Sequence, residues 1–532
     1  MRKFNTEGPV VADRHYCIPP LERVELDKIL GLIRDERYFV LHAPRQTGKT
    51  STLLALRDLL NSGAEGDFRC IYVNVETAQS ARENVGAAMQ AILAALARQE
   101  RITLQARHLQ AIWREALADT GPHEALQETL GRWAEADSRP LVLLIDEIDT
   151  LIGDTLLAVL RQLRAGYPNR PRNYPQSVML CGIRDVRDYR IRSSAENAII
   201  AGGSAFNVRA ESLRLGDFTE AELRALLAQH TAETGQPFSA TAVEAVWANT
   251  CGQPWLVNAL CRRACFDNKA GRDRSRVIEF DDILDAREHL IRSRQVHLDQ
   301  LADKLQEDRV RRVIEPLLSG AGENRSSSRD LEYVRDLGLI AREDPPRVAN
   351  PIYAEVVPRE LTYAVQATLN QDAAWYVDAD NRLDVDKLLA AFQAFFREHS
   401  EHWVERFDYR EAGPQLLLQA FLQRIVNSGG RIEREYGLGR GRTDLLVVWP
   451  RQSANGPPDA ADRIVIECKV LHKSLEHTIA DGLVQTAAYV DRCAAGEGHL
   501  VVFDRSEGKA WEEKIFRRNE DVNGRTIAVW GM

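Results

Sequence analysis

Ala43-Pro44-Arg45-Gln46-Thr47-Gly48-Lys49-Thr50 have the types and spacing of a loop that holds phosphates. They match G-x-x-x-x-G-K-[ST] at every defined position but the first, where Ala43 stands in place of glycine. In such a loop successive backbone N–H groups point inward and cradle the phosphates. The helix that follows adds its partial positive charge. Gly48 lets the backbone approach closely. Lys49 reaches the β- and γ-phosphates, the Thr50 hydroxyl ligates Mg²⁺, and Ser51 continues the phosphate-facing turn. The flanks agree: YFVLH reads as a buried strand and STLLALRDLL as a helix.

A second set of residues completes this chemistry. In RPLVLLIDEIDTL an apolar run ends in Asp146-Glu147. A strand buried on both faces reads this way, and ligands bind at the carboxyl ends of such strands. Asp146 is the expected Walker B carboxylate, holding Mg²⁺ through water. Glu147 is placed to orient and polarise the attacking water. SVMLCGIRDVRDYRI is another buried strand with a polar turn, and Arg184 stands where a γ-phosphate sensor would. A salt-bridged surface arginine is the other reading of Arg184. The run Arg161, Arg164, Arg170, Arg172, Arg184, Arg187, Arg190 and Arg192 faces DNA, a second subunit or simply solvent.

A third set lies far downstream. Asp444 falls early in one expected strand, and Glu467 and Lys469 lie on the next, RIVIECKV. Residues i and i+2 of a strand share a face, so Glu467 and Lys469 point one way and Cys468 the other. Two carboxylates from adjacent strands suit a hard cation such as Mg²⁺, with Mn²⁺ an alternative. The ion would polarise a water and stabilise charge on a scissile phosphate, with Lys469 orienting the nucleophile or balancing that charge. Arg440-Gly441-Arg442, just before Asp444, is a basic turn able to hold a nucleic-acid backbone without reading sequence.

The elements that must position these residues are legible in outline. LERVELDKILGLIRDE is an amphipathic helix, CIYVNVE a second apolar strand, and residues 80–134 are helical by period. FTEAELRALLAQHT opens on a capping box, Thr219 with Glu222. TAVEAVWANTCGQPWLVNALCRRACFD gives two helices broken at Gly252-Gln253-Pro254. DRVRRVIEPLLSG and SSRDLEYVRDLGLI are helices, and REDPPRVANPIYAEVVPREL reads as a short β-wing, an order that suggests a winged helix. Such a module binds DNA or packs beside an ATPase. Near the C-terminus PQLLLQAFLQRIVNSGG is a helix and RIEREYGLGRGRTDLLVVWP a hairpin. GLVQTAAYVDRCAAG is a helix and HLVVFD a strand. The expected organisation is a multidomain α/β chain: a lead-in over 1–38, a P-loop parallel-sheet core over 39–215, a helical lid over 216–300, a winged-helix-like domain over 301–362, a helical connector over 363–408 and a final α/β domain over 409–532.

These motifs carry two resemblances. PRQTGKT, LLIDEID and Cys251-Gly252-Gln253-Pro254-Trp255 resemble AAA-like ATPases of the STAND-related group found in prokaryotes. That resemblance implies ATP as ligand and Pro254 near the adenine. The C-terminal part resembles the PD-(D/E)XK nuclease superfamily, with Asp444 matching its Asp and Glu467 and Lys469 its (D/E)-x-K. Thr443 replaces the proline of the motif. Gln485-Thr486-Ala487-Ala488-Tyr489 is similar to the Q-x-x-x-Y helix of the RecB-like branch, which implies that Gln485 and Tyr489 position the site or contact DNA.

Composition sets the bounds. At 532 residues the chain exceeds one core. Its net charge of −9 does not advertise nucleic acid, so any DNA contact must come from local basic patches. The eight cysteines form no C-x-x-C pair and fit reduced thiols in a cytoplasm. No apolar run approaches membrane-spanning length. The expected function is an ATP-dependent switch that controls a Mg²⁺-dependent DNA nuclease, with DNA and a second copy as partners and prokaryotic defence as the setting. The alternative is a nucleotide-switched scaffold whose nuclease fold binds without cutting. A DNA-pulling motor would need helicase motifs that this sequence lacks.

Overall fold

The computed structural model describes residues 1–185, 189–193, 198–201, 203, 206–293, 304–305, 307–319, 327–361, 376–378, 382–404, 418, 421–422, 431–438, 441–450, 461–471, 474–504, 506 and 509–532. The chain divides into two compact units. One comprises Met1–Asp299 with Leu331–Tyr353, and the other Gln300–Asp330 with Ala354–Met532.

The first unit begins with a short parallel pair, β1 (Lys3–Phe4) and β2 (His15–Tyr16). Its centre is a five-stranded sheet of β3 (Tyr38–His42), β4 (Arg69–Asn74), β5 (Leu141–Asp146), β6 (Ser177–Gly182) and, beyond a small hairpin of β7 (Arg190–Ser193) and β8 (Ala198–Ala201), β9 (Arg209–Arg214). The order is β4-β5-β6-β3-β9 and every pairing is parallel. Parallel strands need crossovers, and covering both faces removes any polar alternation. β5 and β6 are accordingly buried at every position. One face packs on α1 (Leu26–Arg34) and α2 (Lys49–Asn61) through Ile33, Leu53, Leu56 and Leu60. The other packs on α3 (Val85–Leu104), α4 (His108–Thr120), α5 (Ala125–Ala136) and α6 (Gly153–Gly166) through Met89, Trp113, Trp133 and Leu160. This is a P-loop NTPase core. β6 separates the loop strand β3 from the acidic strand β5, so their ends lie two strand spacings apart, about 10 Å. A nucleotide with its Mg²⁺ spans such a gap.

The expected helix LERVELDKILGLIRDE is two pieces, a 3₁₀ turn over Pro20–Arg23 and α1. β9 and the β7–β8 hairpin were not expected, because RAESLR and RIRS are short and polar. The lid holds α7 (Glu220–Thr234), α8 (Ala240–Thr250), α9 (Pro254–Arg262) and α10 (Phe280–Ser293). The Thr219–Glu222 capping box is present at α7.

The β-wing expected over 342–361 is corrected. A single bridge joins Ile340 and Val348, and Pro351–Leu361 is helix. Pro351 opens that helix, and Asn350 Oδ1 accepts a bond from Tyr353 N at 2.9 Å. The apolar residues Ile352, Tyr353 and Val356 fit a helical face as well as a strand, and the cap decides.

The second unit is built on a mixed six-stranded sheet. Its strands are β10 (Arg431–Leu438), β11 (Gly441–Pro450), β12 (Ala461–Val470), β13 (Glu497–Phe503), β14 (Phe516–Val522) and β15 (Arg525–Gly531), in the order β10-β11-β12-β13-β15-β14. β10, β11 and β12 run antiparallel in turn, while β12, β13 and β15 are parallel. A helix over Val385–Val404 covers one face through Leu389, Phe392 and Phe396, against Leu445, Ile466, Phe503 and Trp530. The helix Leu475–Arg492 covers the other through Ile479, Leu483 and Val490, against Leu446, Val465 and Leu500. The β14–β15 hairpin turns on Asn523 and Gly524, both at positive φ, the geometry of a two-residue turn. The expected helix over 414–430 lies outside the described residues apart from Leu418, Phe421 and Leu422, which are buried in this core.

Candidate functional site

The phosphate loop connects β3 to α2. Its left-handed residues are Gln46 and Gly48, at φ 58° and 104°, so Ala43 occupies a conformation that does not demand glycine. Ala43 is fully buried and its N–H donates to Gly182 O at 3.2 Å. A Cβ at Gly48 would meet Arg23 Nη1 at 2.7 Å. Lys49 Nζ donates to the carbonyls of Ala43 and Pro44, both at 2.9 Å, which holds the ammonium over the loop. Thr47 Oγ1 donates to Pro44 O at 2.9 Å, and Ser51 Oγ accepts from Val10 N at 3.0 Å. Arg45 lies in the turn just before Gln46, and its charge favours the ionised form of Glu147.

Thr50 and Asp146 meet across the gap. Thr50 Oγ1 donates to Asp146 Oδ2 at 2.7 Å, and the Tyr72 hydroxyl donates to the same oxygen at 3.0 Å. Glu147 N donates to Asp146 Oδ1 at 3.0 Å. A hydroxyl and a buried carboxylate side by side are hard oxygen donors, which fit the Mg²⁺ that accompanies a nucleotide. Glu147 itself sits at φ 58°, outside the regular strand, with its carbonyl held by Thr150 Oγ1 at 2.7 Å. Burial raises the pKa of its carboxyl above the ordinary range. The neighbouring charge of Asp149 raises it further, and Lys49 opposes. Asp149 Oδ1 also accepts from Ile183 N at 3.1 Å, which ties the turn after β5 to the end of β6.

Arg184 leaves that end of β6 with its guanidinium between two rings, 4.6 Å from the centre of Tyr189 and 4.8 Å from that of Tyr333. Tyr333 belongs to a segment that borders the loop in other ways. Arg214 Nη2 donates to Arg335 O at 3.1 Å, and a Cβ at Gly338 would lie 2.8 Å from Pro44 Cβ. Pro254 is buried as the first residue of α9. Its turn is tied to the loop through intermediates. Phe218 N donates to Gly252 O at 2.8 Å, and the Arg23 guanidinium lies 4.6 Å from the Phe218 ring centre. Arg23 in turn donates to Thr47 O at 2.6 Å and to Gly216 O at 2.7 Å. Arg23, Tyr72, Asp149 and Tyr333 were missed in the sequence. Arg23 read as the polar face of a helix, and Tyr72 as one more apolar strand residue.

In the second unit Glu467 and Lys469 share a face of β12. Glu467 is 3% exposed and Lys469 Nζ donates to its Oε1 at 2.9 Å. β11 and β12 pair Leu445 with Ile466 and Leu446 with Val465, so the same register sets backbone position 444 opposite 467. The neighbouring Val465 packs toward the helix Leu475–Arg492, and alternation turns Glu467 and Lys469 to that side too. On that helix Tyr489 is half-buried against the cluster around Val465, and Gln485 is exposed. A carboxylate offers hard oxygen donors of the kind a divalent cation takes. The side chains of Arg442 and Asp444, and all of Arg440, lie outside the described residues, as does Arg187.

Residues 33–189 match the family model of the AAA domain. This stretch is therefore an ATPase-type P-loop domain, and ATP is the ligand its loop implies. No curated protein sequence matches the chain. Among solved structures the chain is similar to the Walker-type ATPase PABY2304 of Pyrococcus abyssi, with 14% identity, 66% of this chain and 99% of that one covered, and a TM-score of 0.43. It is similar also to the RuvB Holliday junction branch migration motor of Thermotoga maritima, at 14% identity, 60% and 90% coverage and a TM-score of 0.32. Cdc6p of Pyrobaculum aerophilum aligns at 15% identity, with 66% and 94% coverage and a TM-score of 0.34. No helix among the described residues is long and apolar enough to cross a membrane.

Proposed function

We propose that the chain is an ATP-regulated, Mg²⁺-dependent DNA nuclease. In the first unit Lys49 and the loop N–H groups bind the phosphates, Thr50 and Asp146 hold Mg²⁺, and Glu147 orients the water. In the second, Asp444 and Glu467 hold the metal and Lys469 orients the nucleophile or balances charge. The observation that carries the reading is the buried Glu467, paired with the partly exposed Lys469, on a strand whose register sets backbone position 444 opposite. Burying a carboxylate is costly unless it is paired, and a cation held beside Lys469 would add to that pairing. Arg440 and Arg442 would hold the DNA backbone without sequence choice, and a second copy of the chain is the expected partner in assembly. Destruction of invading DNA in a prokaryotic cytoplasm suits a cutter restrained by nucleotide state.

Cleavage of supercoiled plasmid and linear DNA in Mg²⁺ or Mn²⁺, with and without ATP, tests this. Wild type should cut, Lys469→Ala should not, and Lys49→Ala should lose the ATP dependence. Cutting that ignores ATP and survives Lys469→Ala overturns the proposal. Failure of wild type on every DNA favours a scaffold that binds without cutting.

The pKa of Glu147 gives a separate expectation. A carboxylate base works only when ionised, so the acid limb of ATP turnover should lie above the ordinary carboxylate range. Asp149→Asn keeps the oxygen that accepts from Ile183 and removes the charge that disfavours ionisation. The limb should therefore move to lower pH, read from kcat against pH at saturating MgATP. An unmoved limb means that Glu147 is not the titrating group.

A further inference from the structure

Tyr72 carries a hydroxyl into a face of the sheet that is otherwise built from apolar side chains. On β4 it points with Cys70 toward α2, into the cluster of Leu53, Leu56, Val142 and Leu144. Val142 and Leu144 of β5 point the same way, so alternation turns Asp146 to that side too. The two strands pair in parallel register, Tyr72 with Leu144 and Asn74 with Asp146. Tyr72 and Asp146 are therefore diagonal neighbours on one face. Thr50 meets them there from the first turn of α2.

Three elements thus converge on one carboxylate. Asp146 is fully buried, and its Oδ2 accepts from the Tyr72 hydroxyl at 3.0 Å and from Thr50 Oγ1 at 2.7 Å. Phenylalanine would supply the same ring packing at position 72, which is 7% exposed. What the hydroxyl adds is one bond, made to the oxygen that Thr50 also holds. Thr50 is itself a proposed metal ligand at the head of a helix, whereas Tyr72 stands on the sheet, on the strand beside Asp146. Groups that bond a metal-binding carboxylate from behind fix its rotation, and losing one typically costs roughly 10- to 100-fold in metal affinity.

We propose that Tyr72 is a positioning residue for Mg²⁺: its hydroxyl sets the Asp146 carboxylate in the orientation that takes the cation of the bound nucleotide. This rests on the reading of the loop as an ATP site. The phosphates are held by Lys49 and the loop N–H groups, so Tyr72 governs the metal and leaves phosphate binding alone.

The test uses the full-length protein, wild type and Tyr72→Phe, and reads binding rather than turnover. ADP affinity is measured in EDTA and in excess Mg²⁺, and the Mn²⁺ affinity of the ADP complex by electron paramagnetic resonance. Tyr38→Phe is the control, because the Tyr38 hydroxyl on β3 of the same sheet is also buried but donates to Pro175 O, at 3.1 Å. Tyr72→Phe should bind Mn²⁺ roughly 10- to 100-fold more weakly, with its ADP affinity in EDTA unchanged. Tyr38→Phe should lose stability and keep the wild-type Mn²⁺ affinity. Wild-type Mn²⁺ affinity in Tyr72→Phe overturns the inference. So does an equal loss of ADP affinity with and without metal, which would make the hydroxyl a support of the loop's fold. If Tyr72→Phe does not fold, 3-fluorotyrosine placed at position 72 decides. Its fluorine resonance should broaden when Mn²⁺ joins the ADP complex, and an unbroadened resonance overturns the inference. Failure of wild type to bind nucleotide in either condition overturns the ATP reading itself, and is told apart by that result alone.

Discussion

Lys49→Ala should weaken ATP binding by roughly 10- to 100-fold and lower turnover further, by about 10²- to 10³-fold. The binding figure follows from losing charge-assisted hydrogen bonds worth about 1.5–3 kcal/mol. The rate figure follows from losing a preorganised cation where negative charge builds up. The side chain is nearly buried and already lies over the loop, bonded to Ala43 O and Pro44 O. It need only exchange those carbonyls for phosphate oxygens, so little of its binding energy goes to ordering it. Removing it also leaves those carbonyls unpaired, and the change acts through the site more than through the fold because the α2 core of Leu53, Leu56 and Leu60 is untouched. Nucleotide titration and phosphate release measure the two effects. Wild-type affinity in Lys49→Ala would mean that the loop does not hold phosphate.

The second large effect is expected at Glu467. Glu467→Gln keeps the size and hydrogen-bonding reach of a group that is 3% exposed and removes the charge a cation needs. Metal-dependent cleavage should fall by roughly 10²- to 10³-fold, since the bound ion supplies several kcal/mol to the transition state. ATP turnover should stay at the wild-type level. Glutamine is the sounder substitution. Alanine would take from the Lys469 ammonium the carboxylate it donates to and open a space where a buried side chain stood. Cutting at the wild-type rate in Glu467→Gln would remove Glu467 from the chemistry and leave the pair a structural one.

The residues of the first site were legible because their chemistry dictates their order in the chain. A strand, a tight turn with Gly48 and a helix must follow one another, and an apolar run must end on Asp146. Contacts between distant segments were not legible. Nothing local in LERVELD says that Arg23 reaches Thr47, or that Tyr72 donates to Asp146. β9 was missed because a strand of alternating polar residues carries little periodic signal at so short a length. The β14–β15 hairpin is different, since NEDVNGRTIAV carries an Asn-Gly turn between alternating runs and could have been read. The wing over 342–361 failed because its apolar spacing suits strand and helix equally, and Asn350 with Pro351 settles it as a helix.

Asp149 has two clients. Its charge acts backward on Glu147, and its oxygen restrains the backbone one residue ahead of Arg184. Glu147 and the arginine beyond β6 are therefore coupled through one side chain. A substitution at 149 that changes shape disturbs both at once, and only a change of charge at constant shape separates them. Asp149→Asn is such a change: it eases the ionisation of Glu147 while keeping the oxygen that accepts from Ile183 N.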